Sequence, residues 1–235
     1  MLVMTQHDRP LALVTGASRG IGAAIARAIA PTHRVLLGGR DRRTLDELAA
    51  TLPDARAFPV DLTDPESLHA ATEHIESLDV LVHSAGTVTI APLHKTPVEV
   101  WRETLDLNVI AVAELTRVLL PALRAARGRV VLINSGAGMR VNPNWGSYGA
   151  SKFALRGYAE ALRAEEEPHG LRVTTIYPGR TDTAMQREVR AAEGGAYDAD
   201  AYLRPETVAE AVLFAIRTPR DGQLTELTLR PAPQP

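Results

Sequence analysis

The chain has 235 residues, a formal net charge of −2 and no cysteine, which excludes disulfides and zinc–cysteine sites and argues against a nucleic-acid partner. Hydrophobic residues make up 45% of it, yet no apolar run approaches a membrane span or a signal-peptide core, so we expect a cytoplasmic protein without a membrane partner. This length and composition suit one α/β domain.

Short apolar runs alternate with helical patterns along the whole chain. Strands are predicted over 11–15, 34–38, 55–60, 78–83, 129–134, 171–177 and 224–230. Helices are predicted over 20–30, 41–52, 64–75, 98–123, 147–167 and 205–217. The strands are continuously apolar, which is typical of a parallel sheet with helices on both faces. The pattern predicts a doubly wound α/β fold with seven parallel strands in a single domain, residues 1–235.

Two segments near the C-terminus depart from this alternation. Residues 184–204 are polar, contain glycine and fit no regular pattern. Because long insertions beside the carboxyl ends of parallel strands often cover a site, we predict a substrate lid there. The tail, residues 231–235, is predicted to be loose.

A glycine-rich turn follows the first predicted strand. Its sequence, TGASRGIG (15–22), places Gly16, Gly20 and Gly22 directly before a helix. Such a turn allows the backbone to approach a pyrophosphate, and the helix N-terminus presents amides and a favourable dipole to the anion. The spacing differs from the common G-x-G-x-x-G fingerprint, so an ordinary glycine turn is the alternative for this stretch alone.

A second feature is the pair formed by Tyr148 and Lys152. They are four residues apart in a predicted helix and therefore share one face. Taken by itself, the pair is better explained as an ordinary surface pair. The alternative is a catalytic acid and the cation that tunes it.

In combination, these features resemble the short-chain dehydrogenase/reductase family. Further similarities follow in the family's order: Asp61-Leu62, HSAG at 83–86, Asn108, Ser135 thirteen residues before Tyr148, and PGRTDT at 178–183. The resemblance covers the chain and implies a Rossmann-type domain that binds a nicotinamide dinucleotide. The cofactor-binding residues that it implies are Gly16, Ser18, Arg19, Gly20, Ile21, Gly22, Asp61, Leu62, Ser84, Ala85, Gly86, Tyr148, Lys152, Pro178, Gly179, Thr181 and Thr183.

The resemblance also implies catalytic roles. Tyr148 is expected to act as general acid in reduction and general base in oxidation, with the ammonium of Lys152 favouring its phenolate. Ser135 is expected to donate a hydrogen bond to the substrate oxygen. Asn108 is expected to hold a water on a proton path, and the alternative is a buried structural amide. His83 is expected to be buried and hydrogen-bonded, and no metal site is predicted.

The end of the second predicted strand bears on the choice of cofactor. It ends LLGGR, so Arg40 stands where an acidic residue binds the ribose in NAD-dependent proteins of this fold. Arg40 and Arg19 together suit the 2′-phosphate of NADP. Asp41 is a competing acid, but its place before a helix favours an N-cap. We therefore expect NADP(H) to be preferred over NAD(H).

The loop after Ser135 is expected to face the substrate. Arg180 lies beside the expected nicotinamide site, and its charge suggests an anionic or strongly polar substrate. The alternative is that Arg140 and Arg180 are solvated rim residues. The candidate substrate residues are Gly136, Arg140, Trp145 and Arg180; Met139 and Val141 would extend an apolar wall, and Tyr197 and Tyr202 would complete the lid.

Helices 98–123 and 147–167 carry apolar residues beyond one stripe, and the family pairs them between subunits, so we expect a homodimer or homotetramer through them. The leading hypothesis is an NADPH-dependent carbonyl reductase or alcohol dehydrogenase with a small-molecule substrate. One alternative is a cofactor-binding sensor or regulatory protein without turnover. Another is a nucleotide-sugar epimerase or dehydratase, for which the segment after Gly179 leaves little room.

Overall fold

The computed structural model describes residues 9–232, in which seven parallel strands form one sheet in the order β3-β2-β1-β4-β5-β6-β7. The strands are β1 (Leu11–Thr15), β2 (Arg34–Gly39), β3 (Ala55–Pro59), β4 (Val80–His83), β5 (Arg129–Ile133), β6 (Arg172–Pro178) and β7 (Glu226–Leu229). The chain moves outward from β1 to β3 and then crosses back to β4. The strand order therefore reverses between β1 and β4, which is where such sheets open a ligand crevice.

Helices cover both faces of the sheet, as the strand pattern predicts. They are α1 (Gly20–Ile29), α2 (Arg42–Ala49), α3 (Pro65–Thr72), α4 (Val98–Leu105), α5 (Ala111–Ala126), α6 (Gly146–Glu166), α7 (Ala184–Ala192) and α8 (Pro205–Arg217). Neighbouring strand residues point to opposite cores: Val14 packs with α1, α2 and α8, and Leu13 packs with α3, α5 and α6. Both faces of each central strand are buried, which explains the continuous apolar runs.

The predicted fold class is confirmed, and most predicted elements lie within a few residues of the observed bounds. Asp41 and Asp64 cap α2 and α3 as their positions favour, because each carboxylate accepts a backbone N–H of the first turn.

The long helix predicted over 98–123 is present, but it is not α-helical throughout. A π-helical segment, Asp106–Ile110, separates α4 from α5, and the N–H of Ala111 donates to the carbonyl of Asp106. This turn holds one more residue than an α-helical turn, and Asn108 lies inside it. An extra residue rotates the later side chains by about 100° around the helix, and because this segment carries apolar residues beyond one stripe, that shift was not recognised in the sequence.

The C-terminal segments are more ordered than their sequences suggest. Residues 184–204 contain α7 and a short 3₁₀ turn, Ala199–Ala201. Pro231 opens the predicted loose tail, yet its Cδ lies 2.9 Å from where a Cβ would stand at Gly179. The rest of that tail, from residue 233, lies outside the described residues. No helix of the described chain is long and apolar enough to cross a membrane.

Candidate active site

The glycine-rich turn brings backbone very close to backbone. Gly16 has φ +64°, and a Cβ there would lie 2.8 Å from the Cα of Ala85, so only glycine fits without a shift. A Cβ at Gly22 would lie 2.2 Å from the carbonyl oxygen of Gly16. In the described chain, Arg19 occupies the N-cap position of α1, but no side chain there accepts a hydrogen bond from the helix amides. The first turn of α1 contains no acidic residue. The amides at this helix end are thus available to an anion, which fits a pyrophosphate.

A cleft of about 300 Å³ runs from this turn across the carboxyl ends of the central strands to α6. The predicted cofactor residues line it, except Pro178, Gly179 and Thr181, which line an adjoining cavity of about 320 Å³. The cleft residues that the sequence did not single out are Gly39, Val60, Thr63, Thr87, Leu107, Ile133, Asn134, Ala184 and Met185. Gly39, Val60, Ile133 and Asn134 lie at or directly after strand ends, so the sheet topology was the signal that could have found these four.

The two candidate ribose residues behave differently. Arg40 lines the cleft together with Arg19. Asp41 instead accepts hydrogen bonds from the hydroxyl of Thr44 at 2.6 Å and from its backbone N–H at 3.3 Å. The hydrogen bond from the Thr44 hydroxyl is the main reason why the pKa of Asp41 lies below its usual value. Asp41 is therefore engaged as the cap of α2.

Tyr148 and Lys152 lie on one face of α6, as predicted, and both line the cofactor cleft. Lys152 is 5% exposed; its Nζ donates to the carbonyl of Ile133 at 3.1 Å and lies 5.6 Å from the centre of the Tyr148 ring. Burial lowers the pKa of Lys152 to about 8. Desolvation by the protein packed around the half-buried Tyr148 raises the pKa of its phenol. A hydrogen bond with Ser135 lowers this pKa, but by a smaller amount.

The pKa of Tyr148 is raised, which is opposite to the direction in which the ammonium of Lys152 is expected to act. Desolvation raises the pKa of the Tyr148 phenol above its usual value, so the phenol is neutral at neutral pH. A neutral phenol is the state that a general acid needs. The chain by itself therefore prepares Tyr148 to give a proton.

Asn108 is 1% exposed, and its side chain is fully engaged. Its amide nitrogen donates to the Thr87 carbonyl and to the Ser151 hydroxyl, both at 3.0 Å, and its oxygen accepts the Thr87 N–H at 2.9 Å. Ser151 in turn donates to the carbonyl of Tyr148 at 2.7 Å. The Asn108 amide thus joins the loop after β4 to α6, as a buried structural amide would. Both of its hydrogens are used in these contacts and are not available to a water.

Ser135 lies at the junction between the two cavities. Its hydroxyl oxygen accepts the N–H of Ala137 at 3.1 Å and caps a short 3₁₀ turn, so part of its role is that of a turn residue. The same hydroxyl is hydrogen-bonded to Tyr148 and lines the adjoining cavity. Tyr148 lines both spaces and therefore lies between the cofactor cleft and the adjoining cavity.

The adjoining cavity contains all four candidate substrate residues, Gly136, Arg140, Trp145 and Arg180. Three further polar residues that the sequence did not single out for any role also line it: Asn134, Gln186 and Arg230. The expected apolar wall is only partly present, because Met139 and Val141 are 43% and 42% exposed and lie outside the cavity lining.

Tyr197 and Tyr202 line neither of the two cavities in the described structure, and their part in a lid stays a prediction. Their rings pack on each other with centres 5.0 Å apart, and the Tyr197 hydroxyl donates to Asp182 at 2.6 Å. Neither ring lines a cavity. The residues of 184–204 that face the site instead come from α7.

Arg180 is partly exposed, and its charge is not free. Its guanidinium forms a two-pronged ion pair with Glu193, with N–O distances of 2.7 and 2.8 Å. Arg190 also binds that carboxylate at 2.8 Å. The hydrogen bonds from Arg180 lower the pKa of Glu193 to about 2. The charge of Arg180 is thus already compensated by the segment after α7.

His83 is buried, and its Nε2 lies 2.9 Å from the Thr116 hydroxyl. Burial lowers the pKa of His83 to about 3, so the ring is neutral. It lines neither cavity, which agrees with the expected hydrogen-bonded core histidine. Within residues 9–232, no three His, Cys, Asp or Glu side chains cluster as metal ligands.

Residues 10–194 match a protein-family model described as short chain dehydrogenase. An uncharacterized short-chain type dehydrogenase/reductase from Sinorhizobium fredii is 36% identical over 95% of this chain and 92% of its own length. Glycine betaine reductase of Emericella nidulans is 35% identical over 96% of this chain, but the match spans only 19% of that longer protein.

Solved structures agree with the sequence comparisons. An alcohol dehydrogenase from the archaeon Thermococcus sibiricus, complexed with 5-hydroxy-NADP, is 28% identical and superposes with a TM-score of 0.86 over 97% of this chain and 98% of its own. A short chain dehydrogenase from Burkholderia cenocepacia in complex with NADP is 27% identical, with a TM-score of 0.82 over 96% and 90% of the two chains.

Proposed function

The chain belongs to the short-chain dehydrogenase family of oxidoreductases, and from this premise we propose that it transfers hydride between NADP(H) and a carbonyl or alcohol substrate. The observation that carries the proposal is the position of Tyr148, which lines both the cofactor cleft and the adjoining cavity. A substrate in that cavity would meet a proton donor and a hydride donor at the same point.

Each catalytic candidate has a task in this proposal. The cofactor supplies the hydride from its nicotinamide ring. Tyr148 gives a proton to the substrate oxygen during reduction, and Ser135 stabilises the growing charge on that oxygen by a hydrogen bond. Lys152 supplies the positive charge that favours the phenolate once the proton has left. Asn108 acts as a positioning residue, because its amide holds the loop after β4 against α6.

The same arrangement supports a preference for NADP(H). Arg19 and Arg40 line the cleft and suit a phosphate, whereas Asp41 is held as a helix cap. The two NADP complexes named above are complexes of relatives with this fold. An acidic residue that binds the ribose hydroxyls of NAD needs a carboxylate that is free to accept their hydrogen bonds. The carboxylate of Asp41 instead accepts hydrogen bonds from Thr44.

We expect Arg40→Asp to weaken NADPH binding by about 10- to 100-fold, because a charged hydrogen bond contributes about 1.5–3 kcal/mol. The Kd values of NADPH and NADH are measured by fluorescence titration. Asp41→Asn is the matched control, since asparagine also caps helices. An unchanged Kd of NADPH in Arg40→Asp would remove the assignment, and a loss of NADH binding in Asp41→Asn would transfer the ribose site to Asp41.

We also propose a homodimer or homotetramer that pairs α4–α5 and α6 between subunits. Several apolar residues on these helices belong to the chain's own core, but Val98, Ile110 and Phe153 remain 51%, 58% and 43% exposed. These three side chains are the part of the two helices that a partner would cover.

A charge on this surface is expected to dissociate the assembly. Phe153→Glu should shift the mass measured by light scattering at micromolar concentration from an oligomer to a monomer, because pairing would bury the new carboxylate. Phe214→Glu places the same charge on α8, where Phe214 is 59% exposed, and should not produce monomers. A monomeric unmodified protein would contradict the proposal.

A further inference from the structure

The cavity beside the cofactor cleft carries uncompensated positive charge. Arg140, Arg180 and Arg230 line it, and none of its described lining residues is acidic. Glu193 compensates Arg180 from outside the cavity. In residues 9–232, no carboxylate lies within ion-pair distance of Arg140 or Arg230. Two cations therefore face a space that contains no anion of the chain itself.

Arg230 is held close to the proposed reacting centre. Its Nη1 donates to the carbonyls of Tyr177 at 3.1 Å and Leu229 at 3.0 Å, which fixes the guanidinium. Its Nη2 lies 3.3 Å from where a Cβ would stand at Gly136, directly after Ser135. The contact between Nη2 and the Met139 sulfur is long, at 3.9 Å, so this edge still has donors for a stronger acceptor.

Gln186 provides an independent sign of a ligand. It is 8% exposed on α7, lines the same cavity and has a buried amide nitrogen without a hydrogen-bond partner among the described residues. A buried unpaired donor costs about 1–3 kcal/mol, so such a group calls for an explanation. An oxygen of a bound molecule would satisfy it.

We propose that the substrate is a carbonyl compound that also carries a carboxylate, and that Arg230, Arg140 and Gln186 bind this carboxylate. The inference rests on the proposed hydride transfer and adds the chemical class of the substrate. The free edge of a fixed guanidinium matches the two oxygens of a carboxylate. Because Arg230 lies over the residue next to Ser135, the carboxylate and the reacting carbonyl are separated by a short chain.

The test compares short-chain oxo acids with their methyl esters as substrates for NADPH-dependent reduction. The ester keeps the reacting carbonyl and nearly the same shape but lacks the charge. The acid is expected to have a kcat/KM at least about tenfold higher than the ester, since a charged hydrogen bond contributes about 1.5–3 kcal/mol. Arg230→Met and Gln186→Met should each lower kcat/KM for the acid by a larger factor than kcat/KM for the ester, and so remove most of this preference.

Arg27→Met is the matched control, because this exposed arginine on α1 lies outside both cavities. It should leave both rates unchanged, and thermal melts should show that all variants fold. Equal kcat/KM for acid and ester in the unmodified protein overturns the inference and leaves the proposed function standing. The inference is likewise overturned if neither Arg230→Met nor Gln186→Met lowers the rate with the acid.

A second measurement separates failure of the inference from failure of the proposed function. Short hydroxy acids are titrated calorimetrically into the protein loaded with NADP⁺, with Arg230→Met as the comparison. If no carbonyl compound is reduced but hydroxy acids bind and Arg230→Met abolishes their binding, the carboxylate site stands and hydride transfer fails. If no carbonyl compound is reduced and no hydroxy acid binds, both are overturned.

Discussion

Tyr148→Phe is expected to lower kcat for carbonyl reduction by about 10²- to 10⁴-fold, the range that positioned acid–base groups contribute. The change removes the hydroxyl and keeps the ring, which contacts Trp145 edge-on with centres 5.7 Å apart. The surroundings raise the pKa of the Tyr148 phenol, so they already favour a neutral group and should accept phenylalanine. NADPH should therefore bind the variant with a Kd close to that of the unmodified protein.

Steady-state consumption of NADPH and a fluorescence titration measure the two quantities separately. Tyr158→Phe is the matched control, because Tyr158 is a partly buried tyrosine on the same helix that packs in the core behind the sheet. A variant at Tyr148 that keeps its full rate would show that another group gives the proton. Tight NADPH binding by the unmodified protein without turnover of any carbonyl would favour the sensor hypothesis instead.

The sequence predicted the fold well because the fold follows from short-range patterns. Each central strand is buried on both faces, so it appears as an unbroken apolar run such as LALVT. Tyr148 and Lys152 could be paired in advance because helical spacing alone puts them on one face. Asp41 could be interpreted as a cap because a cap depends on its immediate neighbours.

The features that sequence reasoning missed depend on contacts between distant parts of the chain. Arg230 reaches the cavity because β7 pairs with β6, which brings it beside Gly136, almost a hundred residues earlier. Glu193 compensates Arg180 because α7 folds back over the end of β6. No local pattern marks either partner. Arg180 is already paired with Glu193, so the expectation that its charge indicates an anionic substrate stays a prediction; among the described residues, the cavity arginines without a carboxylate partner are Arg140 and Arg230.

Lys152→Met is expected to abolish most activity and yet stabilise the protein without cofactor at neutral pH by up to about 3 kcal/mol. Lys152 is 5% exposed, and among the described residues its Nζ has one hydrogen bond, to Ile133. Burial lowers its pKa from 10.5 to about 8, so holding the charge inside the folded protein costs free energy. Methionine has a similar length and carries no charge.

The pH dependence gives this prediction its sign. Below about pH 8, Lys152 is protonated in the folded and the unfolded chain, and the cost of the buried charge is fully present. Between about 8 and 10.5, the folded chain has lost the proton that the unfolded chain still binds, so the contribution of Lys152 to stability rises with pH. The advantage of Lys152→Met should therefore be largest at pH 7 and shrink through this window.

Urea unfolding at pH 7 and at pH 9.5 measures the difference. Lys95→Met, at the chain's other lysine, is the control, since Lys95 is exposed and should show no such dependence. A Lys152→Met protein that is less stable at pH 7, or whose advantage does not change with pH, would contradict the prediction. If the advantage is found, the ammonium at Lys152 destabilises the fold that contains it. Its place in the cleft beside Tyr148 is then explained by the chemistry of the bound cofactor and substrate rather than by folding.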